Sequence, residues 1–269
     1  MSNSKRILLT GATDGIGKLT AEALAAMGHN LLLHGRNAEK LEAVRSELSL
    51  KHANTSIEIY CADLSSLSQT NKLASAIRDS HQKLDVLVNN AGVFKIAEAR
   101  TQDDLDVRFV VNAIAPYLLT RRLLPLLSSD SRVINLSSAA QAPFSLADLA
   151  RVHETDDSSV YAKSKLAITM WTRLLGESLG ASSPTMVAVN PASFLGSKMV
   201  KEAYGIEGND IQKGVDILVN ASLSEQFVNA NGKYYDNDRG TFAEPHVFAT
   251  DERTCEHLIP ELDKLSGLN

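Results

Sequence analysis

Cysteine is nearly absent from this 269-residue chain: Cys61 and Cys255 stand far apart in sequence. Two such residues make neither a metal-ligand spacing nor a disulfide framework, so a reducing cytoplasmic location is expected. Long hydrophobic runs are missing too, and no stretch approaches the ~18 apolar residues of a membrane span. Met1 to Arg6 is polar and leads straight into Ile7-Leu8-Leu9, so no secretory h-region is read there. Lys and Arg never cluster, and the net charge is −5, which argues against nucleic acid as a partner. Repeats, low-complexity linkers and composition breaks are likewise absent, so one domain over residues 1–269 is expected.

What is present is an alternation. With 44% apolar residues, the chain can bury a full core. Short apolar runs at Ile7–Leu9, Leu31–Leu33, Ile57–Tyr60, Val86–Val88, Val133–Leu136 and Met186–Val189 read as strands buried on both faces, with a seventh around Lys233–Tyr235. Longer patterned segments between them, such as 38–50 and 105–127, read as helices. That rhythm predicts an α/β fold with a parallel sheet and helices on both faces. Two segments interrupt it, 139–160 and 194–212. Irregular stretches of this length are usually functional or disordered, and both are expected at the carboxyl edge of the sheet, where open α/β sheets bind ligands.

Directly after the first strand comes Thr10-Gly11-Ala12-Thr13-Asp14-Gly15-Ile16-Gly17, followed by a helical stretch. Glycines there allow a tight turn and let backbone amides approach a diphosphate at a helix N-terminus. Strand before and helix after are the context this motif requires. The second strand ends His34-Gly35-Arg36-Asn37, without the carboxylate that usually holds the ribose hydroxyls of NAD. Arg36 instead offers a cationic fork suited to a 2′-phosphate, which favours NADP(H) over NAD.

Tyr161 and Lys165 are spaced i, i+4, so on a helix they share one face. A nearby cation favours the phenolate, lowering a tyrosine pKa from about 10 toward neutrality. A tyrosine tuned that way exchanges a proton with an alcohol or carbonyl oxygen at working pH.

The spacing Gly11-x-x-x-Gly15-x-Gly17, the run Asn89-Asn90-Ala91-Gly92, the pair Ser137-Ser138 after a strand, and Tyr161-x-x-x-Lys165 resemble, in that order, the short-chain dehydrogenases/reductases. The resemblance runs from Lys5 to Tyr235. The long interval from Ser138 to Tyr161, followed by Ser164-Lys165-Leu166-Ala167, is similar to the branch with retinol-dehydrogenase-like enzymes. Those often carry a membrane anchor, which is not read here, so retinoid chemistry is not implied. The resemblance implies a Rossmann-type doubly wound sheet of about seven strands. It implies Tyr161 as general acid in carbonyl reduction and base in alcohol oxidation, with Lys165 depressing its pKa and bonding the nicotinamide ribose. Ser138 would hold the substrate oxygen, and Asn112 would position a water between the lysine and solvent. Gly11, Thr13, Asp14, Gly15, Ile16 and Gly17 would form the phosphate loop. Asp63 and Leu64 would meet the adenine edge, while Asn90, Ala91 and Gly92 would line the adenosine side. Asp63 reads equally as a helix N-cap, and Asn112 as a satisfied helix asparagine. Asn190-Pro191-Ala192 resembles the family's Pro-Gly element beside the nicotinamide, with Ala192 in place of glycine and Pro191 as the contact. Ser197 is expected to supply a hydroxyl to the cofactor.

The function expected is an NADP(H)-dependent oxidoreductase that reduces an aldehyde or ketone to an alcohol, or the reverse. Alternatives are a dinucleotide-sensing regulator without catalysis, a dual-cofactor or NAD-linked dehydrogenase, and a sugar epimerase or dehydratase, whose members are usually longer with another glycine spacing. The expected partner is a small carbonyl or alcohol, with no nucleic acid and no membrane. Helices over 105–127 and 159–179 resemble those that pair subunits in the family, so a homodimer or homotetramer is expected. Phe94, Phe144, His153 and Phe194 are candidates for the pocket border.

Overall fold

The computed structural model describes residues 4–153, 156–180 and 182–268. Met1 to Asn3 of the polar leader and Glu154-Thr155 of the acidic stretch lie outside the described residues. The chain begins β1 (Arg6–Leu9), α1 (Gly15–Ala26), β2 (Asn30–Gly35), α2 (Ala38–Lys51), β3 (Ile57–Cys61), α3 (Leu67–Ser80) and β4 (Val86–Asn89). It continues α4 (Val107–Phe109), α5 (Ala115–Leu123), β5 (Arg132–Leu136), α6 (Leu146–Leu149), α7 (Asp157–Ser178) and β6 (Thr185–Asn190). It closes with α8 (Lys198–Tyr204), α9 (Gln212–Leu223), β7 (Lys233–Asp236), β8 (Thr241–Ala243) and α10 (Glu252–Ser266).

All seven anticipated strands form one sheet, ordered β3-β2-β1-β4-β5-β6-β7, and β8 extends it to eight. Every pairing is parallel except β7 with β8. Strand β8 is a three-residue edge, Thr-Phe-Ala, too short to register as a periodic pattern. Side chains alternate across the sheet as the pleat demands. Ile7 and Leu9 join α1, α2 and α9 on one face. Leu8, Leu87 and Val133 join α3, α5 and α7 on the other. This doubly wound layering places the strand-order reversal between β1 and β4, and ligand crevices open beyond the carboxyl ends of strands at such a point.

The helical stretch expected over 105–127 is interrupted by a wide turn. Pro116 has no N–H for the Asn112 carbonyl, and Val110–Ile114 opens into a π-helical turn in which Ala115 N–H donates to the Val110 carbonyl. The Trp171 indole N–H then donates to the Ala113 carbonyl at 3.2 Å. Single π turns of this kind recur at functional sites. Helix α10 lies across α7 and α5, burying Leu258 and Leu262. Its Asp263 accepts from Tyr117 and Arg121 of α5, each at 2.7 Å. Part of the surface expected to pair subunits is therefore covered within the chain. Among the described residues, no helix is long and apolar enough to cross a membrane.

Candidate active site

A cavity of about 1270 Å³ opens along the carboxyl edge of the sheet, bounded by the loops after β1, β2, β4, β5 and β6. At one end the glycine loop is drawn tight against the chain just after β4. Gly11 has φ +68°, and a Cβ there would lie 2.9 Å from Ala91 Cα. At Gly17 a Cβ would lie 2.1 Å from the Gly11 carbonyl oxygen, so only glycine fits. Thr10, which the sequence reading passed over, is the tie. Its hydroxyl accepts from the Asn90 and Ala91 amides, both at 3.0 Å, while the Asn90 side chain donates to the Thr10 and Gly11 carbonyls. Asp14 caps α1 by accepting from Gly15 N–H at 2.8 Å. Thr13, Gly15 and Ile16 line the cavity beside it.

At the end of β2, Gly35 is buried, and a Cβ there would approach Thr13 Cγ2 to 2.7 Å and Leu41 to 3.3 Å. Packing accounts for the absence of a carboxylate at that position. Arg36 and Lys40 both line this end of the cavity and are exposed. Among the described residues, neither side chain makes an ion pair. Lys40 escaped the sequence reading, though a second cation four residues after Arg36 was legible there. Asp63 and Leu64 also line the wall. The Asp63 carboxylate accepts from Ser65 N–H at 2.9 Å, and the cap of α3 is Ser66 rather than Asp63. The glycine loop, with no room for a Cβ at Gly11 or Gly17, the helix N-terminus and the two free cations fit a phosphorylated dinucleotide.

Midway along the cavity, Ser138, Tyr161 and Lys165 come together. Ser137 is excluded from chemistry by its bonds, since its hydroxyl is engaged by Thr169 at 2.6 Å and by the Lys165 carbonyl. The Lys165 ammonium is buried and donates to the Leu136 carbonyl at 2.8 Å. Burial pushes its pKa down to about 8. Burial pushes the Tyr161 phenol up to about 12, with the Ser138 hydroxyl pulling down and Tyr204 adding to the rise. The expected depression of Tyr161 by Lys165 is thus reversed: Lys165 Nζ stands 5.5 Å from the ring centre and does not offset desolvation.

Asn112 is buried behind the wall, at 1% exposure. Its Oδ1 accepts from Val93 N–H at 2.8 Å, and its Nδ2 donates to the Val93 carbonyl and to Ser164 Oγ, both at 2.9 Å. The satisfied-asparagine reading describes it, and it braces the strand of chain just past Gly92.

Beyond Pro191, which lines the cavity, the backbone is unusual. Ala192 has φ +122° and Phe194 φ +52°, so an alanine holds a backbone conformation that favours glycine. Ser197 caps α8, accepting from Val200 N–H at 3.3 Å. Phe94 and Phe194 border the cavity as expected, joined by Tyr204 from the end of α8. Phe94 meets the Tyr161 ring edge-on at 4.8 Å and stacks on Tyr204 at 5.7 Å. Phe194 meets Tyr204 at 5.2 Å. Phe144 and His153 do not border it. Both turn inward onto Phe109, at 6.2 and 5.5 Å, because the 139–153 segment folds back over the core.

The family model described as short chain dehydrogenase matches residues 5–205. The chain belongs to the short-chain dehydrogenases. It is an oxidoreductase of that family, similar to retinol dehydrogenase 13 of Homo sapiens, with 31% identity over 285 residues covering 98% of this chain and 85% of that protein. Among solved structures, an uncharacterised protein from Mycobacterium paratuberculosis superposes with a TM-score of 0.79 at 25% identity, covering 98% and 93% of the two chains. A metagenomic short-chain oxidoreductase in complex with NADP gives a TM-score of 0.62 at 26% identity, covering 81% and 90%.

Proposed function

We propose that this short-chain dehydrogenase reduces an aldehyde or ketone with NADPH and runs in reverse as an alcohol dehydrogenase. The observation that carries the reading is one cavity with Ser138, Tyr161 and Lys165 on its wall and the glycine loop with Arg36 at its end. The loop amides from Gly11 to Gly17 and the α1 N-terminus would hold the diphosphate, with Arg36 and Lys40 on the 2′-phosphate. Asp63, Leu64 and residues 90–92 would take the adenosine side, and Lys165 and Pro191 the nicotinamide side. When bound, the dinucleotide supplies the hydride.

The chain's own residues handle the proton and the oxygen. Tyr161 Oη gives its proton to the carbonyl oxygen during reduction, and its raised pKa keeps that proton in place at neutral pH. Ser138 Oγ hydrogen-bonds the same oxygen as charge develops. Asn112 acts through Val93, holding the Gly92–Phe94 segment against the site. Phe94, Phe194 and Tyr204 exclude water and favour an apolar substituent on the carbonyl. The unit works as one domain in a reducing cytoplasm suited to its free thiols, Cys61 and Cys255. Copies pair through surface that α10 leaves open.

The test is NADPH consumption across a panel of aldehydes, ketones and diketones, with Tyr161→Phe alongside. The variant is expected to bind NADPH normally while kcat falls at least ~10²-fold, the scale of a lost general acid. Activity of Tyr161→Phe within a few-fold of wild type, or tight NADPH binding with no turnover on any carbonyl, overturns the reading.

A further inference from the structure

The chemistry above makes no use of Arg108, yet this cation stands where the two helical stretches bearing the site begin. Arg108 is 2% exposed and lies four residues before Asn112. Its Nε and Nη2 donate to the two carboxylate oxygens of Asp106, at 2.9 and 2.7 Å. Its Nη1 donates to Asp157 Oδ1 at 2.6 Å, and Nη2 also reaches the His153 carbonyl at 3.2 Å. Asp106 caps α4 and accepts as well from His153 N–H at 3.1 Å. Asp157 is the first residue of α7, one turn before Tyr161. One planar fork therefore joins the start of α4, the start of α7 and the returning end of the 139–153 segment.

The rest of α7 shows why this junction bears on chemistry. From Lys165 onward the helix is riveted to β5: Lys165 to the Leu136 carbonyl, Thr169 to Ser137, and Thr172 to Asn135. Ser138 continues from that strand, so its place is set by the sheet. Tyr161 lies on the N-terminal side of these rivets. Its two turns are held by the Arg108–Asp157 bond, by Asn112 to Ser164, by Lys163 to Asp148 at 3.3 Å, and by Ala142 N–H to the Ala162 carbonyl. Two of these are charge-assisted bonds to a buried partner, Arg108–Asp157 and Lys163–Asp148, and the first is the one at the helix start. Well-packed apolar groups would serve stability about as well as a buried ion cluster. What the guanidinium adds is a fixed direction and length.

We propose that Arg108 is a positioning residue for the reaction, setting α7 through Asp157 so that the Tyr161 hydroxyl meets the substrate oxygen held by Ser138. This rests on Tyr161 as the proton donor. A displacement of about 1 Å at a reacting group can cost up to ~10² in rate.

The experiment compares Asp157→Ala with Asp157→Asn, whose amide oxygen still accepts from Arg108, measuring kcat, substrate KM and NADPH affinity. Asp157→Ala is expected to lose about 10-fold in kcat with NADPH affinity held within twofold, while Asp157→Asn stays within threefold of wild type. A merely structural bond would lower the melting temperature and leave kcat of the folded protein alone. A kcat within twofold of wild type in Asp157→Ala overturns the proposal, as does an equal loss in Asp157→Asn. If Asp157→Ala is not folded at the assay temperature, Arg108→Lys carries the test, since it keeps the charge and gives up the fork. A loss of about 10-fold there supports the proposal, and a kcat within twofold overturns it. Tyr161→Phe separates the two readings. If it remains active, the proton-donor assignment fails whatever Asp157 does. If it is inactive while Asp157→Ala is fully active, only the role of Arg108 fails.

Discussion

Tyr161 and Lys165 stand one turn apart on α7, yet the ammonium spends its hydrogen bond on the Leu136 carbonyl at 2.8 Å and stays 5.5 Å from the tyrosine ring centre. Shared helix face does not make a shared proton network. With burial raising Tyr161 to about 12, the phenol of the free chain should remain protonated through pH 10. Ultraviolet difference titration of wild type against Tyr161→Phe, without dinucleotide, is the measurement. No tyrosinate step should separate the two below pH 10; a step between 7 and 9 would show that Lys165 dominates after all.

Lys165 itself should be a stability liability. Its pKa falls from 10.5 to about 8 because burial penalises the ammonium. At ~1.4 kcal/mol per pH unit, that is a penalty on the order of 3 kcal/mol at neutral pH. Below about pH 8 both folded and unfolded chains are protonated and the penalty is complete. Between about 8 and 10.5 the unfolded chain binds more protons, so stability rises with pH, and above that range the penalty is gone. Lys165→Met removes it but strands the Leu136 carbonyl, which costs ~1–2 kcal/mol. The variant should therefore be inactive and about 1–2 kcal/mol more stable at pH 7. Urea unfolding at pH 7 and pH 10 should show that advantage vanish at the higher pH.

Ala192, on the cavity wall, offers a separate check on backbone strain. A φ of +122° is glycine territory, and a side chain held there costs ~1–3 kcal/mol. Ala192→Gly relieves that strain against ~0.5–1 kcal/mol of added unfolded-state entropy. A net gain of about 1 kcal/mol is expected in denaturant unfolding. Loss of stability would mean that the neighbouring Asn190 and Ser193 bonds to Asp238 set the backbone without strain.

The strands and the glycine loop were legible because buried parallel strands leave near-continuous apolar runs, and a backbone packed against Ala91 leaves glycine. Tyr161 and Lys165 were legible from their i, i+4 spacing, and Ser138 only through the family resemblance. Their electrostatics were not, because desolvation depends on what closes over the site. Phe144 and His153 were misplaced for a related reason: aromatic residues in an irregular segment carry no sign of which way the segment folds. Here Arg108 and Asp106 draw its end inward. Tyr204 was missed because only the fold of 194–209 brings α8 back over Phe94, with Gly196 N–H bonded to the Asn209 carbonyl at 2.7 Å. The π turn went unread in a stretch expected as one helix, although Pro116, which has no N–H for the Asn112 carbonyl, was a signal for it.

On the proposed reading, Arg36 sets the cofactor choice. A charge-assisted bond to the 2′-phosphate is worth about 1.5–3 kcal/mol, so Arg36→Ala should weaken NADPH binding roughly 10- to 150-fold and leave NADH nearly unchanged. Lys40, a more strongly hydrated cation on the first turn of α2, should contribute less, with Lys40→Ala costing NADPH a few-fold. Converting the site to NADH by placing a carboxylate at the end of β2 is a different matter. Gly35→Asp would drive a Cβ to 2.7 Å from Thr13 Cγ2 and 3.3 Å from Leu41, at the base of the phosphate loop. That change should destabilise the fold and weaken both dinucleotides rather than exchange one for the other. Titrations of NADPH and NADH against wild type, Arg36→Ala and Gly35→Asp separate these outcomes. Equal losses for the two cofactors in Arg36→Ala would mean that the guanidinium stacks on the adenine instead of reading the phosphate, and the chain would then be a dual-cofactor enzyme.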